Sequence, residues 1–582
     1  MHIKNQIKNL IQKNIKEKIN FAVEVPEEKS YGDYATNVAL ILARRLEKNP
    51  MQIAKDLVSK FNLPAGKAGL PAGKAGIQNS KFLDKVEVAP PGFINFFLKP
   101  EFLQKQVKEI LKEKEKFGEV NIGKNKTVII DYSSPNIAKP MHVGHLRSTI
   151  IGQAIYNIYK FLGYKTISDN HLGDWGTQFG IIIAGCYKSE FEISEIKKLS
   201  IDEMLNIYIK FNKEMEKDPK YRLEEWAREE FKKLEEGNKE NQEIWKIIKE
   251  KSLKEFKKIY KLLGVKFDLA LGESFYREDA KKIIADAKKK NKAFVSLGAL
   301  LIDLNKFNLI PFLIQKADGA TLYSTRDLAT ISYRVKKYKL EKIIYVVGNE
   351  QALYFEQLFH SAELLNYISY NKLHHIKFGL VLDENRKKLA TRAGRFIGAE
   401  KLINKAIELA DKIIKEKNPK LSAKERKKTA KIIGVGAIKY NDLSQNRQTD
   451  IVFNWQKMLS FEGNSGPYLQ YSYVRLRSIL RKAGKFSAFK PEFLKEKEEL
   501  EILKELIKFP EIVKEAGEKF QINLLANYLY NLASLINTFY EKFPVLKAKK
   551  DVRLARLALI KAATIVLKNG LNLLGIEAPE KM

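Results

Sequence analysis

Two histidines, His142 and His145, stand three residues apart in Ser133-Ser-Pro-Asn-Ile-Ala-Lys-Pro-Met-His-Val-Gly-His-Leu-Arg-Ser-Thr149. A strand-like run, Thr127-Val-Ile-Ile-Asp131, precedes them. A helical pattern with Leu146, Ile150, Ala154, Ile155, Ile158 and Leu162 on one face follows. The imidazoles therefore fall at a strand-to-helix turn, where unpaired N–H groups and the positive end of the helix dipole suit a phosphate. Two imidazole donors there can follow phosphate charge as it develops, and Gly144 between them lets a nucleotide come close to the backbone. Zinc is the competing chemistry for two histidines, but no cysteine or acidic third ligand lies nearby.

Three further groups of residues could do chemistry. Arg386-Lys-Lys-Leu-Ala-Thr-Arg-Ala-Gly394 follows the strand-like Phe378-Gly-Leu-Val-Leu382 and could close over phosphates; taken alone it also reads as a solvated charge run. Tyr323 and Asp327 are four residues apart, hence on one face if their segment is helical. A guanidinium is planar and always charged, and carboxylates and hydroxyls in its plane hold it best. The same pair is also common on helix surfaces. Tyr468, Tyr471 and Arg475 recur at spacings of three and four. Such a face can stack on splayed bases, or can belong to a core helix whose tyrosines reach solvent with their hydroxyls.

The string around His142 resembles the HIGH motif of class I aminoacyl-tRNA synthetases, and its flanks resemble the arginyl branch. The likeness covers nearly the whole chain, from Val23-Glu-Val-Pro26 and Gly32-Asp-Tyr-Ala-Thr-Asn37 to Glu577-Ala-Pro-Glu-Lys-Met582. It implies an arginine–tRNA ligase that activates L-arginine with ATP and Mg²⁺. The arginyl group then passes to the 3′ end of an arginine tRNA, with release of AMP and pyrophosphate. It implies catalytic roles for His142, His145, Lys388 and Arg392. The basic segment resembles a degenerate KMSKS loop: Lys388 matches the first lysine, the second is missing, and Thr391 and Arg392 stand nearby. In such enzymes a lysine at the position of Lys139 is implied to take over the missing charge.

The same resemblance implies that Gly144, His171, Gly173, Asp174, Gln178 and Thr391 surround ATP. Tyr323 and Asp327 would hold the guanidinium, Asn136 and Gln351 the α-amino end, with Asp131 and Ser133 in the same pocket and Glu273 supporting it. Asn95, Tyr468, Tyr471, Arg475, Tyr540 and Met582 would touch tRNA, and no residue would bind a structural metal or zinc. Arginine would be activated only once tRNA is bound. A cysteinyl or other class I synthetase is countered by the Tyr323/Asp327 pair and the lack of zinc ligands. A non-catalytic relative that only binds tRNA draws on the missing lysine, but leaves the intact histidine pair unexplained. A general RNA-binding module explains the charge and not the nucleotide site.

The elements that must position these groups can be read from the pattern. Residues 1–120 form an appended α+β unit, which the resemblance assigns to the tRNA elbow. An amphipathic helix there places Ile3, Ile7, Leu10, Ile11, Ile15 and Ile19 inward, and Val86–Leu98 reads as strand, turn, strand. Over 121–400, apolar runs alternate with helices, which predicts a Rossmann-like doubly wound parallel sheet with a helical insertion at about 190–265. Residues 401–450 read as connecting helices, and 451–582 as an all-α anticodon-binding bundle, with no strand signal beyond about 430. Leu63-Pro-Ala-Gly-Lys-Ala-Gly69 recurs unchanged at Leu70–Gly76, as expected of a duplicated loop.

The totals agree with this layout. A chain of 582 residues is too long for one core. Lys plus Arg is 104 against 70 Asp plus Glu, a net charge of +34 that favours a polyanion partner, although a lysine-rich proteome gives the same excess. One cysteine, Cys186, excludes disulfides and cysteine-built zinc sites within the chain, and fits a reducing cytoplasm. No apolar run is long enough to span a bilayer. The lysine-rich start lacks Arg and Ser and carries Glu17, unlike a transit peptide. The expectation is a cytoplasmic monomer with no membrane partner.

Overall fold

A computed structural model describes residues 3–61, 74–76, 80–383, 385–386, 398–486 and 488–582. One unit gathers Met1–Glu119, Ser472–Lys514 and Tyr528–Asn569; the other gathers Val120–Tyr471, Glu515–Asn527 and Gly570–Met582.

In the first unit a five-stranded antiparallel sheet runs in the order Val23–Glu24, Tyr34–Thr36, Phe93–Leu98, Leu83–Ala89, Lys74–Gly76. Ile94, Phe96 and Leu98 alternate along one strand and are buried, as a half-buried strand requires. The helix Ile3–Lys13 buries Ile3, Ile7 and Ile11. It is shorter than expected: Asn14 Nδ2 donates back to Leu10 O, and Ile15 and Ile19 lie beyond the helix end. Residues distant in sequence complete the unit. Glu511 accepts from the Lys4 amide (2.9 Å) and the Tyr34 hydroxyl (3.4 Å), Gln104 Nε2 donates to Leu494 O (2.9 Å), and the Phe117 and Phe509 rings stack at 6.2 Å. The second copy of the heptad is not wholly loop, because Lys74–Gly76 pairs with Leu83–Ala89 as an edge strand. Residues 63–73 lie outside the described residues.

In the second unit four parallel strands run in the order Leu373–His375, Leu340–Tyr345, Thr127–Asp131, Lys165–Asp169. Val128, Ile129 and Ile130 are fully buried, the continuous apolar run of a strand covered on both faces. The strand that comes first in the chain has the second on one side and the third on the other. Winding therefore reverses beside Thr127–Asp131, where a crevice opens at the carboxyl ends of the strands. The helix Val143–Phe161 buries the expected Leu146, Ile150, Ala154, Ile155 and Ile158, but also Val143, Ile151 and Tyr159, so more than one face is enclosed. Each large aliphatic side chain stabilises that seat by about 1.5–3 kcal/mol.

The helices Ile193–Ile196, Ile201–Met215, Arg222–Glu236 and Lys239–Leu263 follow the second strand's helix. Two features were not anticipated. Ala293–Ser296, Ala299–Ile302 and Phe312–Gln315 form a separate antiparallel sheet, and Ile451–Val452 pairs in parallel with Val381–Leu382, a strand beyond residue 430. A two-residue strand is too short to show alternation, and the antiparallel hairpin carries Leu297 at its tip, 98% exposed, which blurs the pattern. Among the described residues no helix is long and apolar enough to cross a membrane.

Candidate active site

His142 is the N-cap of the helix Val143–Phe161. Its Nδ1 accepts the Gly144 amide at 3.0 Å, while the His142 amide donates to His145 Nδ1 at 3.3 Å. The rings lie 3.8 Å apart, centroid to centroid. Because each Nδ1 accepts, each neutral ring carries its proton on Nε2, making two N–H donors at the end of a helix. Burial, and then the repulsion that any proton added to His142 would exert, pushes the basicity of His145 well below the usual histidine range, so it stays a neutral donor. Gly144 has a different reason from the one expected. A Cβ there would stand 2.9 Å from His142 Cε1 and 3.1 Å from its Nδ1, so the glycine makes room for the imidazole. The approach to this turn is strained: Ser133, Ser134 and Ala138 have φ of 72°, 42° and 66°.

These histidines face a cavity of about 790 Å³ at the reversal point of the sheet. The same cavity is lined by Asp131, Ser133, Asn136, Gly144, His171, Gly173, Tyr323, Asp327 and Gln351, so most of the expected small-molecule residues do come together. Asn136 is packed on Gly173, where a Cβ would meet its Oδ1 at 1.8 Å, and Ile137 N donates to Gly173 O. Ser133 Oγ is held by Tyr260 and Thr149, both at 2.8 Å.

Tyr323 and Asp327 occupy the first turns of the helix Tyr323–Lys337, with Tyr323 55% exposed. Asp327 Oδ2 accepts from the Tyr354 hydroxyl. Its Oδ1 lies 3.6 Å from His171 Nε2, beyond hydrogen-bond distance but within ion-pair range. His171 Nδ1 is 3.1 Å from Leu271 O, and a carbonyl only accepts, so Nδ1 holds a proton. A second proton, on the nitrogen that faces the carboxylate, is favoured by that charge. Burial alone would lower the basicity of His171, but Asp327 and the charge of Asp131 outweigh it and raise the pKa to about 9. His171, expected beside ATP, lines the cavity and stands against the Asp327 carboxylate.

Other expected residues are placed differently. Asp131 lines the cavity, but its oxygens are engaged: Oδ1 by Ser134 Oγ (2.9 Å), Oδ2 by Arg334 Nη2 (2.6 Å), which also holds Asp169 (2.7 Å). Asp174 is not at the cavity. It is fully buried and bound to Lys249 Nζ (2.6 Å), the Ser274 amide (2.8 Å) and Ser274 Oγ (2.7 Å). Gln178 does not line it either, its Nε2 being 3.4 Å from Gly173 O. Lys139 Nζ sits 4.6 Å over the Tyr208 ring rather than in the cavity. Asn95, only 4% exposed, is in the middle of the antiparallel sheet, closed to RNA. Glu273 supports the pocket through Arg326 Nε at 2.7 Å, its carboxyl pKa raised by burial against the pull of Arg326. Lys388, Thr391 and Arg392 lie outside the described residues. Sequence reasoning missed Tyr354 and Arg334. Arg334 follows Asp327 by seven residues on one helix, a two-turn spacing that could have been noticed; no local signal marks Tyr354.

Comparison with known proteins agrees with this geometry. The model for the class I (R) tRNA synthetase catalytic domain matches residues 106–455, that for the arginyl tRNA synthetase N-terminal domain residues 1–98, and that for the DALR anticodon-binding domain residues 469–582. An arginine–tRNA ligase of Clostridium botulinum (strain Langeland) is 43% identical over 99% of this chain and 100% of its own length. The arginyl-tRNA synthetases of Plasmodium falciparum and Thermus thermophilus, each 26% identical, superpose with TM-scores of 0.84 and 0.82. Both cover 100% of this chain, which in turn covers 99% and 100% of theirs. With a paired-histidine helix cap and a carboxylate pocket in one crevice, and with relatives matching from end to end, the chain belongs to the arginyl-tRNA synthetase family of class I.

Proposed function

We propose that this cavity forms arginyl-adenylate from L-arginine and MgATP and passes the arginyl group to the 3′ end of an arginine tRNA. One observation carries the reading: a single cavity holds a carboxylate framed for a guanidinium and, at a helix N-terminus, two imidazole N–H donors framed for phosphate. The arginine carboxylate attacks the α-phosphorus, the bond to the bridging oxygen breaks, and pyrophosphate departs. A tRNA ribose hydroxyl then attacks the mixed anhydride and AMP leaves. His142 and His145 donate from Nε2 to phosphate oxygens whose charge grows along that path, without themselves exchanging protons. Asp327 and Tyr323 take the guanidinium, while Asn136 and Gln351 fix the α-amino end and so aim the carboxylate. Ser133, Gly144, Gly173 and His171 shape the walls. Among the described residues no group of three or more His, Cys, Asp or Glu side chains is arranged to hold a metal. In this reading magnesium enters with the nucleotide, as MgATP.

The segment of Lys388, Thr391 and Arg392 supplies charge to the departing pyrophosphate, and Lys139 leaves Tyr208 to join it. Tyr468, Tyr471, Arg475, Tyr540 and Met582 serve the anticodon end. In support, Tyr471 and Tyr540 are exposed and the Arg475 guanidinium lies 5.4 Å over the Tyr540 ring. We place the protein in the cytoplasm as a monomer, with the appended unit at about 1–120, the catalytic sheet at 121–400, connecting helices at 401–450 and the anticodon-binding bundle at 451–582. ATP–pyrophosphate exchange with each amino acid, with and without tRNA, tests the function: arginine alone should support exchange, and only with its tRNA present. Exchange with another amino acid, or none with arginine and tRNA, would sink the reading.

A further inference from the structure

Arg147 follows His145 by two residues on the same helix and is buried, 1% exposed. It does not line the cavity, yet its guanidinium donates to a large part of one cavity wall from behind. Nη1 reaches Gly379 O (2.6 Å), Thr449 O (3.1 Å) and Leu380 O (3.2 Å); Nη2 reaches Arg447 O (3.0 Å); Nε reaches Asp442 Oδ1 (3.2 Å). The Phe378 ring lies 5.7 Å from its Cζ. Phe378, Gly379, Leu380, Val381, Gln448 and Asp450 line the cavity together with His142–His145. That wall is a short ladder, helped by side-chain bonds from Leu380 N to Asp450 Oδ1 (2.7 Å) and from Arg447 Nη1 to Lys377 O (2.7 Å). Its two segments pair in register only at Val381 with Ile451 and Leu382 with Val452, extended by Gly379 N to Arg447 O and Ile451 N to Leu380 O. The planar fork of an arginine offers five N–H groups at once, which suits it to gathering carbonyls from both segments.

We propose that Arg147 is a positioning residue for the nucleotide half of the reaction, holding the wall of residues 378–381 and 447–450 at a set distance from His142 and His145. This rests on the functional reading above. Asp442, at the end of the helix Ala423–Leu443, balances its charge. Burial raises the Asp442 carboxyl above the usual range, and the guanidinium pulls it back. The arginine pocket is built by other elements: Tyr323 and Asp327 by the helix Tyr323–Lys337, Gln351 by the turn Asn349–Gln351. None of them is bonded to Arg147 itself, although the Asn349 amide donates to Phe378 O (2.9 Å), so the turn of Gln351 touches one end of the same wall. Loosening Arg147 should therefore be felt far more by ATP than by arginine.

The test uses the full chain as wild type, R147K, R147Q and D442N. Pyrophosphate exchange and tRNA charging are measured with ATP or arginine varied, affinity for a fluorescent ATP analogue is measured without arginine, and thermal unfolding is followed by circular dichroism. A displacement of about 1 Å at a reacting centre costs on the order of 10²-fold. R147Q should lose roughly that much in kcat/KM for ATP and bind the analogue more weakly, while KM for arginine stays within about twofold. R147K keeps the charge but has one nitrogen in place of a fork, and should recover only part. D442N keeps an acceptor and should lose least. Unchanged ATP parameters in folded R147Q would overturn the proposal, as would equal losses for ATP and arginine that track a fall in Tm. If R147Q does not fold, the split between ATP and arginine in R147K and D442N decides in the same way. A wild-type enzyme that binds the ATP analogue but activates no arginine would defeat the functional reading instead, and the analogue affinities would still judge Arg147.

Discussion

At Asp327 the His171 ring already stands where, on the proposed reading, the guanidinium would come. Truncating this carboxylate removes the counter-charge from both. Asp327→Ala should cost at least about 2 kcal/mol in kcat/KM for arginine, the penalty of a poorly paired cation; steady-state charging kinetics would read it, and an unchanged value would remove Asp327 from the pocket. The His171 pKa, raised to about 9, gives a second outcome. A folded-state pKa above the unfolded value of about 6.5 means that its stabilisation is complete below about pH 6.5 and fades as pH rises through about 9. For the ligand the sign reverses. A guanidinium brought against Asp327 competes with the His171 proton, so arginine should bind more tightly as pH climbs toward 9 and should release protons near pH 8. Calorimetry in two buffers of different ionisation enthalpy measures that release directly. No release, or the same release in His171→Gln, would contradict it.

Among the elements, the helix Val143–Phe161 shows how a local choice serves chemistry over stability. Alanine normally strengthens a helix by about 0.5–1 kcal/mol relative to glycine. At Gly144 its Cβ would strike the His142 ring and break the amide bond to Nδ1. Gly144→Ala should therefore leave Tm near its wild-type value or slightly lower, the lost cap cancelling the helix-propensity gain, while kcat falls; equal kcat in a folded variant would show that the ring has room to move. The heptad makes the opposite case. Removing Leu63–Gly69 leaves an identical copy to supply the edge strand opposite Glu87, so Tm and charging should barely change; a collapse of tRNA affinity would show that Lys67 or Lys74 contacts RNA. Long apolar runs and the histidine turn made the parallel sheet and the paired donors legible in the sequence. What was not legible rests on distant partners. Asp174 is claimed by Lys249 and Ser274, 75 and 100 residues further on, and Lys139 rests on Tyr208. Asn95 falls in a string that resembles a tRNA-binding segment, and only the strand on either side of it reveals that it is buried.

At the scale of the molecule, the unit that contains the N-terminus is discontinuous in the chain. Lys4 and Tyr34 meet Glu511, Gln104 meets Leu494, Phe117 meets Phe509, and Asn569 Nδ2 caps the carbonyls of Lys114 and Phe117. About 350 residues separate Glu119 from Ser472, and at about 5–20 residues per second a ribosome needs roughly 20–70 s to make them. For that time the first-made segment carries Ile3, Ile7, Val107, Ile110 and Phe117, all buried in the finished unit, without much of their cover. The middle of the chain is nearly contiguous in its own unit and can close first. Birth order and folding order are thus inverted between residues 1–119 and 120–471, and the earlier-made of these two segments should be the one a nascent-chain chaperone holds longer. Pulse proteolysis of stalled nascent chains would reveal this as late protection of residues 100–117, arriving only once synthesis has passed residue 509; protection already present in chains stalled before residue 472 would contradict it.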